Sequence, residues 1–311
     1  MTEPDKGVTV AQEVKPPYGT ILQELEAGMV VPFLGAAASR VGCVGNAPGT
    51  LPSGRSLSEA LALDARFPAQ DAADNWDLAK VSSYYVDGSS RSALRRKLRD
   101  VFASGSYKPN SLHRLLASVS RTLLIVTTNY DTLLEEAFKD AGKDFDVIVY
   151  PADNREYANA LLWWKHGATE PVKLKSNDFD EEDLGKTTTI YKLHGSVRPH
   201  TDKWDNFVIT EEDYIRFLSR MNQAVPGAFR KYFSTRFFLF LGYGLNDWNL
   251  RVLLREVGAS EAVSWAILHQ PSPFETVLWN RRKVTLFNVT LEEFVAEMEA
   301  ELQRKHGKTG P

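Results

Sequence analysis

The amino-acid sequence predicts an α/β fold, a doubly wound parallel sheet with a helical module inserted near its start. Three observations carry that expectation. Short, almost wholly apolar runs recur at Val30–Leu34, Leu123–Val126, Phe145–Tyr150, Ile190–Leu193, Phe237–Leu241, Val263–Leu268 and Val284–Phe287. Strands covered on both faces read this way, whereas half-exposed strands alternate. Segments of helical periodicity separate the runs, as expected of parallel strands joined by helical crossovers. Several runs end in glycine or a polar cluster, and ligands of open α/β sheets bind beyond the carboxyl ends of the strands.

The chain in order supports this reading. Residues 1–17 are polar and rich in Lys, Glu and Pro, a flexible arm without the apolar stretch of a signal peptide. Thr20–Glu26 places apolar residues at 21, 22 and 25, a short amphipathic helix that Gly28 ends. The run Val30–Leu34 passes directly into Gly35, Ala36, Ala37, Ala38 and Ser39, small residues whose N–H groups can face an anion such as a pyrophosphate. Residues 42–55 carry several glycines and prolines, a loop long enough to act as a mobile flap.

Helical patterns follow at Leu57–Leu61, Trp76–Val86, Ser92–Phe102 and Leu112–Val119, so residues of about 42–120 form an inserted helical module over the ligand edge. The cluster Arg91, Arg95, Arg96, Lys97 and Arg99 reads as a solvated helix face rather than a basic binding stripe. Leu123–Val126 continues into Thr127-Thr128-Asn129-Tyr130-Asp131 and a helix over Thr132–Asp140, with Asp131 at its cap and Asn129 in the turn. Residues of about 151–188, which include Trp163, Trp164 and an acidic patch, read as a polar insertion outside the sheet.

The run Ile190–Leu193 ends in His194, Gly195 and Ser196, which sets an imidazole on the mouth of the sheet. Thr210 followed by Glu211, Glu212 and Asp213 signals a helix start, and a second helix spans about Gly227–Ser234. Phe237–Leu241 ends in Gly242, Tyr243 and Gly244, and a helix over 247–257 follows, capped by Asn246 or Asp247. A helix over Pro273–Asn280 and a terminal helix from about Thr290 to Lys305 complete the pattern.

Composition narrows the function classes. The 311 residues are 43% hydrophobic and 25% charged, enough to bury a full core. A formal net charge of −3 gives no footprint for wrapping nucleic acid, so none is expected as a direct partner. No run reaches the ~18 apolar residues of a membrane span, so no membrane is expected either. The single cysteine, Cys43, can build neither an intrachain disulfide nor a Cys-rich zinc site, which fits a reducing compartment and a cytoplasmic location. His113, His166, His200, His269 and His306 lack metal-ligand spacing.

Four strand ends therefore converge on one sheet edge: Gly35–Ser39, Thr127–Asp131, Lys192–Ser196 and Gly242–Gly244. In order, type and strand context they resemble the sirtuin superfamily, specifically the prokaryotic SIR2-like branch associated with antiphage defence, over about residues 20–290. Gly35, Ala36 and Ser39 fall on the family's Gly-Ala-Gly-x-Ser nucleotide loop, and Asn129 and Asp131 on its Thr-Gln-Asn-Ile-Asp motif. His194 with Gly195 falls on its catalytic His-Gly, and Gly242 and Gly244 on its late glycine loop. Ala37 replaces the second glycine, and Arg55 is only a candidate for the arginine of the family's first long loop. No Cys-x-x-Cys pair is present, so the resemblance comes without the structural zinc module of deacylase sirtuins, and no zinc is expected.

The resemblance implies a Rossmann-like sheet and NAD+ as substrate. It implies an NAD+ glycohydrolase that cleaves the nicotinamide–ribose bond, the NAD-depleting effector of an antiphage system. His194 would act as base on a ribose hydroxyl or the attacking water, and Asn129 would position water and ribose through an uncharged amide. Gly35, Ala36, Ala37 and Ser39 would cradle the pyrophosphate. Thr128, Asp131 and Gly195 would line the cofactor, Asp131 against the nicotinamide amide, and Gly242, Tyr243 and Gly244 would take the adenosine half. The alternatives are an NAD or ADP-ribose sensor without turnover, and behind it a deacylase or ADP-ribosyltransferase. The resemblance also implies a homo-oligomer and a separate partner or sensor such as a HerA-like ATPase, a short Argonaute or a STAND protein, with that partner or oligomerisation as the switch that activates the enzyme.

Overall fold

A computed structural model describes residues 14–308 apart from 44, 46, 48, 153–156, 158–159, 176–177, 181–182, 199 and 244–263. Helix α1 (Tyr18–Glu26) buries Ile21, Leu22 and Leu25 and leads into β1 (Val30–Leu34), buried throughout. A 3-10 turn over Ala36–Arg40 precedes α2 (Gly54–Ala65), α3 (Leu78–Gly88), α4 (Arg91–Phe102) and α5 (Ser111–Ser118). Next come β2 (Leu124–Thr127), α6 (Leu133–Asp140), β3 (Phe145–Val149), β4 (Ala160–Trp164), β5 (Val172–Lys175), α7 (Asp183–Lys186) and β6 (Thr188–Lys192). The second half holds β7 (Gly195–Arg198), β8 (Thr201–Phe207), α8 (Glu211–Ser219), α9 (Met221–Ala224), α10 (Gly227–Ser234), β9 (Phe237–Leu241), β10 (Ser264–Ile267), α11 (Pro273–Asn280), β11 (Val284–Phe287) and α12 (Leu291–Lys308).

Nine strands form one sheet in the order β11-β10-β9-β1-β2-β6-β3-β4-β5, parallel from β11 to β3. From β1 the chain runs outward through β2 and β3 to β5, returns to insert β6 between β2 and β3, and then crosses to β9, β10 and β11 on the other side of β1, so a topological switch point lies between β1 and β9. Side chains alternate between two apolar layers. Val31, Phe33, Leu124, Val126, Tyr191, Phe238 and Phe240 face the side that α8, α9, α10 and α11 cover. Val30, Leu34, Ile125, Ile190, Leu239 and Leu241 face the side that α1, α5, α6 and α12 cover. No helix among the described residues is long and apolar enough to cross a membrane.

Several expectations need correction. Residues 160–164 and 172–175 do not lie outside the sheet: β4 pairs antiparallel with β3, and β5 with β4. Trp163 and Trp164 point to opposite faces, so the tryptophan pair is a strand feature with a period of two. Helix α5 joins α1, α6 and α12 on the sheet, which leaves α2, α3 and α4 as the module over the ligand edge. The module closes on β7 and β8, a separate two-stranded hairpin the sequence reading did not anticipate. The expected helix over 247–257 and residues 1–13 of the expected arm lie outside the described residues.

Candidate active site

The four motif-bearing strands are neighbours in the sheet, in the order β9-β1-β2-β6, and their carboxyl ends open on one cleft. The cleft encloses about 870 Å³ of empty space, its open mouth included. Ala36, Ser39, Thr128, Asn129, Asp131 and His194 line it, with Gly242 and Tyr243 at the β9 end. The module and the loop before it supply a more apolar wall through Leu51, Leu57, Leu78 and Phe102, joined by Tyr130 of the β2 turn and Tyr214 of α8. Asn129 and His194, distant in sequence, therefore share one pocket.

A hydrogen-bonded net fixes the β2 end. Thr127 Oγ1 donates to Leu34 O at 3.1 Å and accepts from Asn129 N at 3.0 Å, which ties the turn to the neighbouring strand. Asn129 Nδ2 donates to Gly35 O at 3.0 Å and to Ser39 Oγ at 2.9 Å, and Ser39 Oγ donates to Asp131 Oδ2 at 2.9 Å. Asp131 Oδ1 accepts from Leu133 N at 3.1 Å, so its carboxylate caps α6 although Thr132 holds the cap position. Asp131 is thus a capping and linking group on the cleft wall.

In the loop Gly35–Ser39, several N–H groups already have main-chain partners. Gly35 N donates to Leu241 O, Ala37 N to Gly242 O and Ala38 N to Gly35 O, so these three N–H groups are spent on main-chain carbonyls. What the loop offers a ligand is close approach of backbone. A Cβ on Gly242 would lie 2.3 Å from Ala38 N, and its φ of +76° is the left-handed region, so the two loops meet only because glycine stands there. Ala36 and Ala37 are exposed, Ala36 on the cleft wall and Ala37 outside its lining. Gly244 lies outside the described residues.

His194 follows β6 and is 5% exposed, its ring edge-to-face with Phe217 at 5.1 Å and Tyr214 at 5.6 Å. Two aromatic rings from α8 therefore fix the plane of the imidazole at the end of β6. His194 O accepts from Val208 N at 2.9 Å, which carries the chain past the hairpin. Gly195 is buried outside the cleft lining. With φ +93°, a Cβ there would lie 2.1 Å from Asn206 O, so its role is to let β7 turn against β8.

Tyr243 packs its ring on Phe33 at 5.4 Å, and its hydroxyl lies 2.9 Å from Thr128 Oγ1, so it is a fixed part of the cleft wall. Arg55 stands on the exposed side of α2, paired with Glu59 at 3.1 Å and stacked over Trp76 at 3.4 Å, away from the cleft lining. The expected flap is tethered where it is described, since Arg40 donates to Gly45 O and Leu51 O, and Glu292 accepts from Gly42 N at 2.8 Å.

Sequence reasoning missed the support behind the loop. Asn110 Nδ2 donates to Ala38 O at 2.8 Å, and Asn110 N donates to His113 Nδ1 at 3.2 Å, a reciprocal cap at the start of α5. His113 is 1% exposed, and burial pushes its imidazole down to about 4, against the opposing pull of the Asp131 carboxylate. The Asn-x-x-His spacing was a readable cap signal, but its burial was not. Tyr130 and Tyr214, also missed, bring phenol rings to the apolar wall. Among the described residues, no group of three His, Cys, Asp or Glu is arranged to hold a metal.

Residues 123–287 match a family model described as the SIR2-like domain. The chain is similar to NAD(+) hydrolase ThsA of Acinetobacter baumannii, 25% identical over 238 residues, which are 76% of this chain and 41% of that protein. It is similar to NAD(+) hydrolase ThsA of Enterococcus faecium, 27% identical over 189 residues, 60% of this chain and 33% of that protein. A third relative is defense-associated sirtuin 2 of Bacillus subtilis, 27% identical over 158 residues, 49% of this chain and 12% of that protein. The chain spans less than half the length of these curated relatives.

Proposed function

Because the chain belongs to the SIR2-like domain family, we propose that it hydrolyses NAD+ to nicotinamide and ADP-ribose as an effector of antiphage defence. The observation that carries this reading is the pairing of Asn129 and His194 on one cleft at the switch point of a parallel sheet. The names of the relatives, NAD(+) hydrolases and a defense-associated sirtuin, support it.

The reaction asks little of the protein beyond placement. The C1′–N1 bond breaks and its electron pair passes to the pyridinium nitrogen, which leaves as neutral nicotinamide. The ribose carbon takes on oxocarbenium character, water adds to it, and the water proton must be removed. His194 is the base on the water or a ribose hydroxyl. Asn129, its Nδ2 already committed to Gly35 O and Ser39 Oγ, holds its amide in one orientation and adds no charge against the cation. The apposed loops at Gly35 and Gly242 form a wall with little side chain for the diphosphate to lie along. Asp131 completes the nicotinamide side, Thr128 lines the cofactor beside Tyr243, and a partner protein or self-assembly in the cytoplasm activates turnover.

Incubation with NAD+, alone and with candidate partners, followed by chromatography of nicotinamide and ADP-ribose, tests the proposal. The expected result is equimolar release, and at least a ~100-fold loss of rate in both His194→Ala and Asn129→Ala with the fold intact. Calorimetric NAD+ binding without release under any condition would make the protein a sensor.

A further inference from the structure

Beneath the cleft lies a buried ion pair that the chemistry above does not use. Lys192 ends β6 two residues before His194 and is 1% exposed. Its Nζ donates to the main-chain oxygen of Asp131 and lies 3.0 Å from Glu135 Oε1, in the first turn of α6. This location is unfavourable twice over. A buried ammonium gives up its hydration, and the first turn of a helix presents the positive end of the dipole to it. Well-packed apolar side chains in place of such a pair are often neutral or stabilising, so stability alone does not explain its presence.

What the pair does locally is specific. Lys192 holds the carbonyl of Asp131, the Asp131 carboxylate holds Ser39 Oγ, and Ser39 Oγ accepts from Asn129 Nδ2. A continuous path of bonds therefore runs from Glu135 through Lys192, Asp131 and Ser39 to the amide of Asn129. An apolar residue at 192 would fill the volume and offer the Asp131 carbonyl no donor. Since Lys192 also sits on the strand that presents His194, one strand end carries the imidazole and tethers the turn that bears the amide.

We infer that Lys192, held by Glu135, is a positioning residue that keeps Asn129 in register with His194 across the cleft. The inference rests on the NAD+ hydrolase reading for its effect on rate. The variants Lys192→Met, Glu135→Met and the double variant test it. Each single variant strands a buried polar partner and loses stability whatever its role. The double variant separates the roles: with no charge left stranded, denaturant stability recovers over both single variants, while kcat stays at least tenfold down and KM for NAD+ stays within about threefold. Wild-type kcat in a stable double variant would overturn the inference.

Should that variant not fold, Glu135→Gln and Glu135→Leu answer the same question. The glutamine oxygen still accepts from Lys192, so kcat is expected within about threefold of wild type, whereas leucine loses at least tenfold; equal kcat in the two overturns the inference. The side-chain amide resonances of Asn129, identified by their loss in Asn129→Ala, give a readout independent of turnover. They are expected to shift or broaden in the double or the leucine variant, and unchanged resonances count against the tether. If wild type releases no nicotinamide, the hydrolase reading fails and the amide resonances still decide the tether.

Discussion

At the residue scale, His113 shows how a side chain with no part in the chemistry can govern the pH range of the fold. Burial holds its imidazole at about 4, below the ordinary 6.5. The unfolded chain therefore takes up a proton first as pH falls. Stability from this residue is complete above 6.5 and is lost progressively between 6.5 and about 4, by on the order of 3 kcal/mol in total. Urea unfolding of wild type and His113→Gln at pH 7 and pH 4.5 checks this: the wild type is expected to lose more stability over that interval than the variant, by about 2–3 kcal/mol. An equal loss in both would assign the acid sensitivity elsewhere. None of this was legible in the sequence, where His113 is one of six histidines. Its burial comes from α5 packing under the loop of β1, a contact between segments far apart in the chain. Asn129 and His194 were legible because their positions are local, each at the end of an apolar strand.

At the element scale, the basic stripe of α4 does more than face solvent. Arg91 reaches Asp213 at 2.7 Å and Phe207 O at 2.7 Å, and Arg99 reaches Asp205 at 2.7 Å and Thr201 O at 2.9 Å. Two arginines thus clamp the module to β8 and α8, while Lys97 pairs within the module to Asp64. The sequence could not show this, because Thr201, Asp205 and Phe207 lie on β8, whose mixed run leaves no apolar stretch, and Asp213 lies on α8, far from α4 in the chain. Burial raises the Asp205 carboxyl, and Arg99 is the first group to oppose it. Arg99→Ala is therefore expected to strand a nearly buried carboxylate and cost about 3 kcal/mol. Arg99→Ala with Asp205→Asn should recover part of it. Denaturant melts of the two variants measure the difference, and a cost below about 0.5 kcal/mol would place this pair among ordinary surface ion pairs.

At the scale of the whole molecule, the parallel sheet and its order of elements were readable because strands buried on two faces leave continuous apolar runs. The β5 edge was not, since it alternates Val172, Lys173, Leu174 and Lys175 and leaves no such run, whereas β4 does leave one, Ala160–Trp164, set between polar flanks. The module is not closed on itself. Its apolar core includes Val197, Phe207 and Ile209 from the hairpin region, and Tyr130 from the β2 turn packs against it between Phe102 and Phe207, at 5.2 and 5.1 Å. Tyr130 also sits between Asn129 and Asp131, the residues of the cleft net. If the module opened, it would expose this shared ring and release the turn, so module and sheet are expected to unfold as one cooperative unit. Tryptophan fluorescence and far-ultraviolet circular dichroism should give coincident urea transitions, and Tyr130→Ala should move both midpoints together. A Tyr130→Ala variant in which the module melts first, with Asn129 still able to support turnover, would show that the cleft is built by the sheet alone and that its apolar wall is an accessory to it.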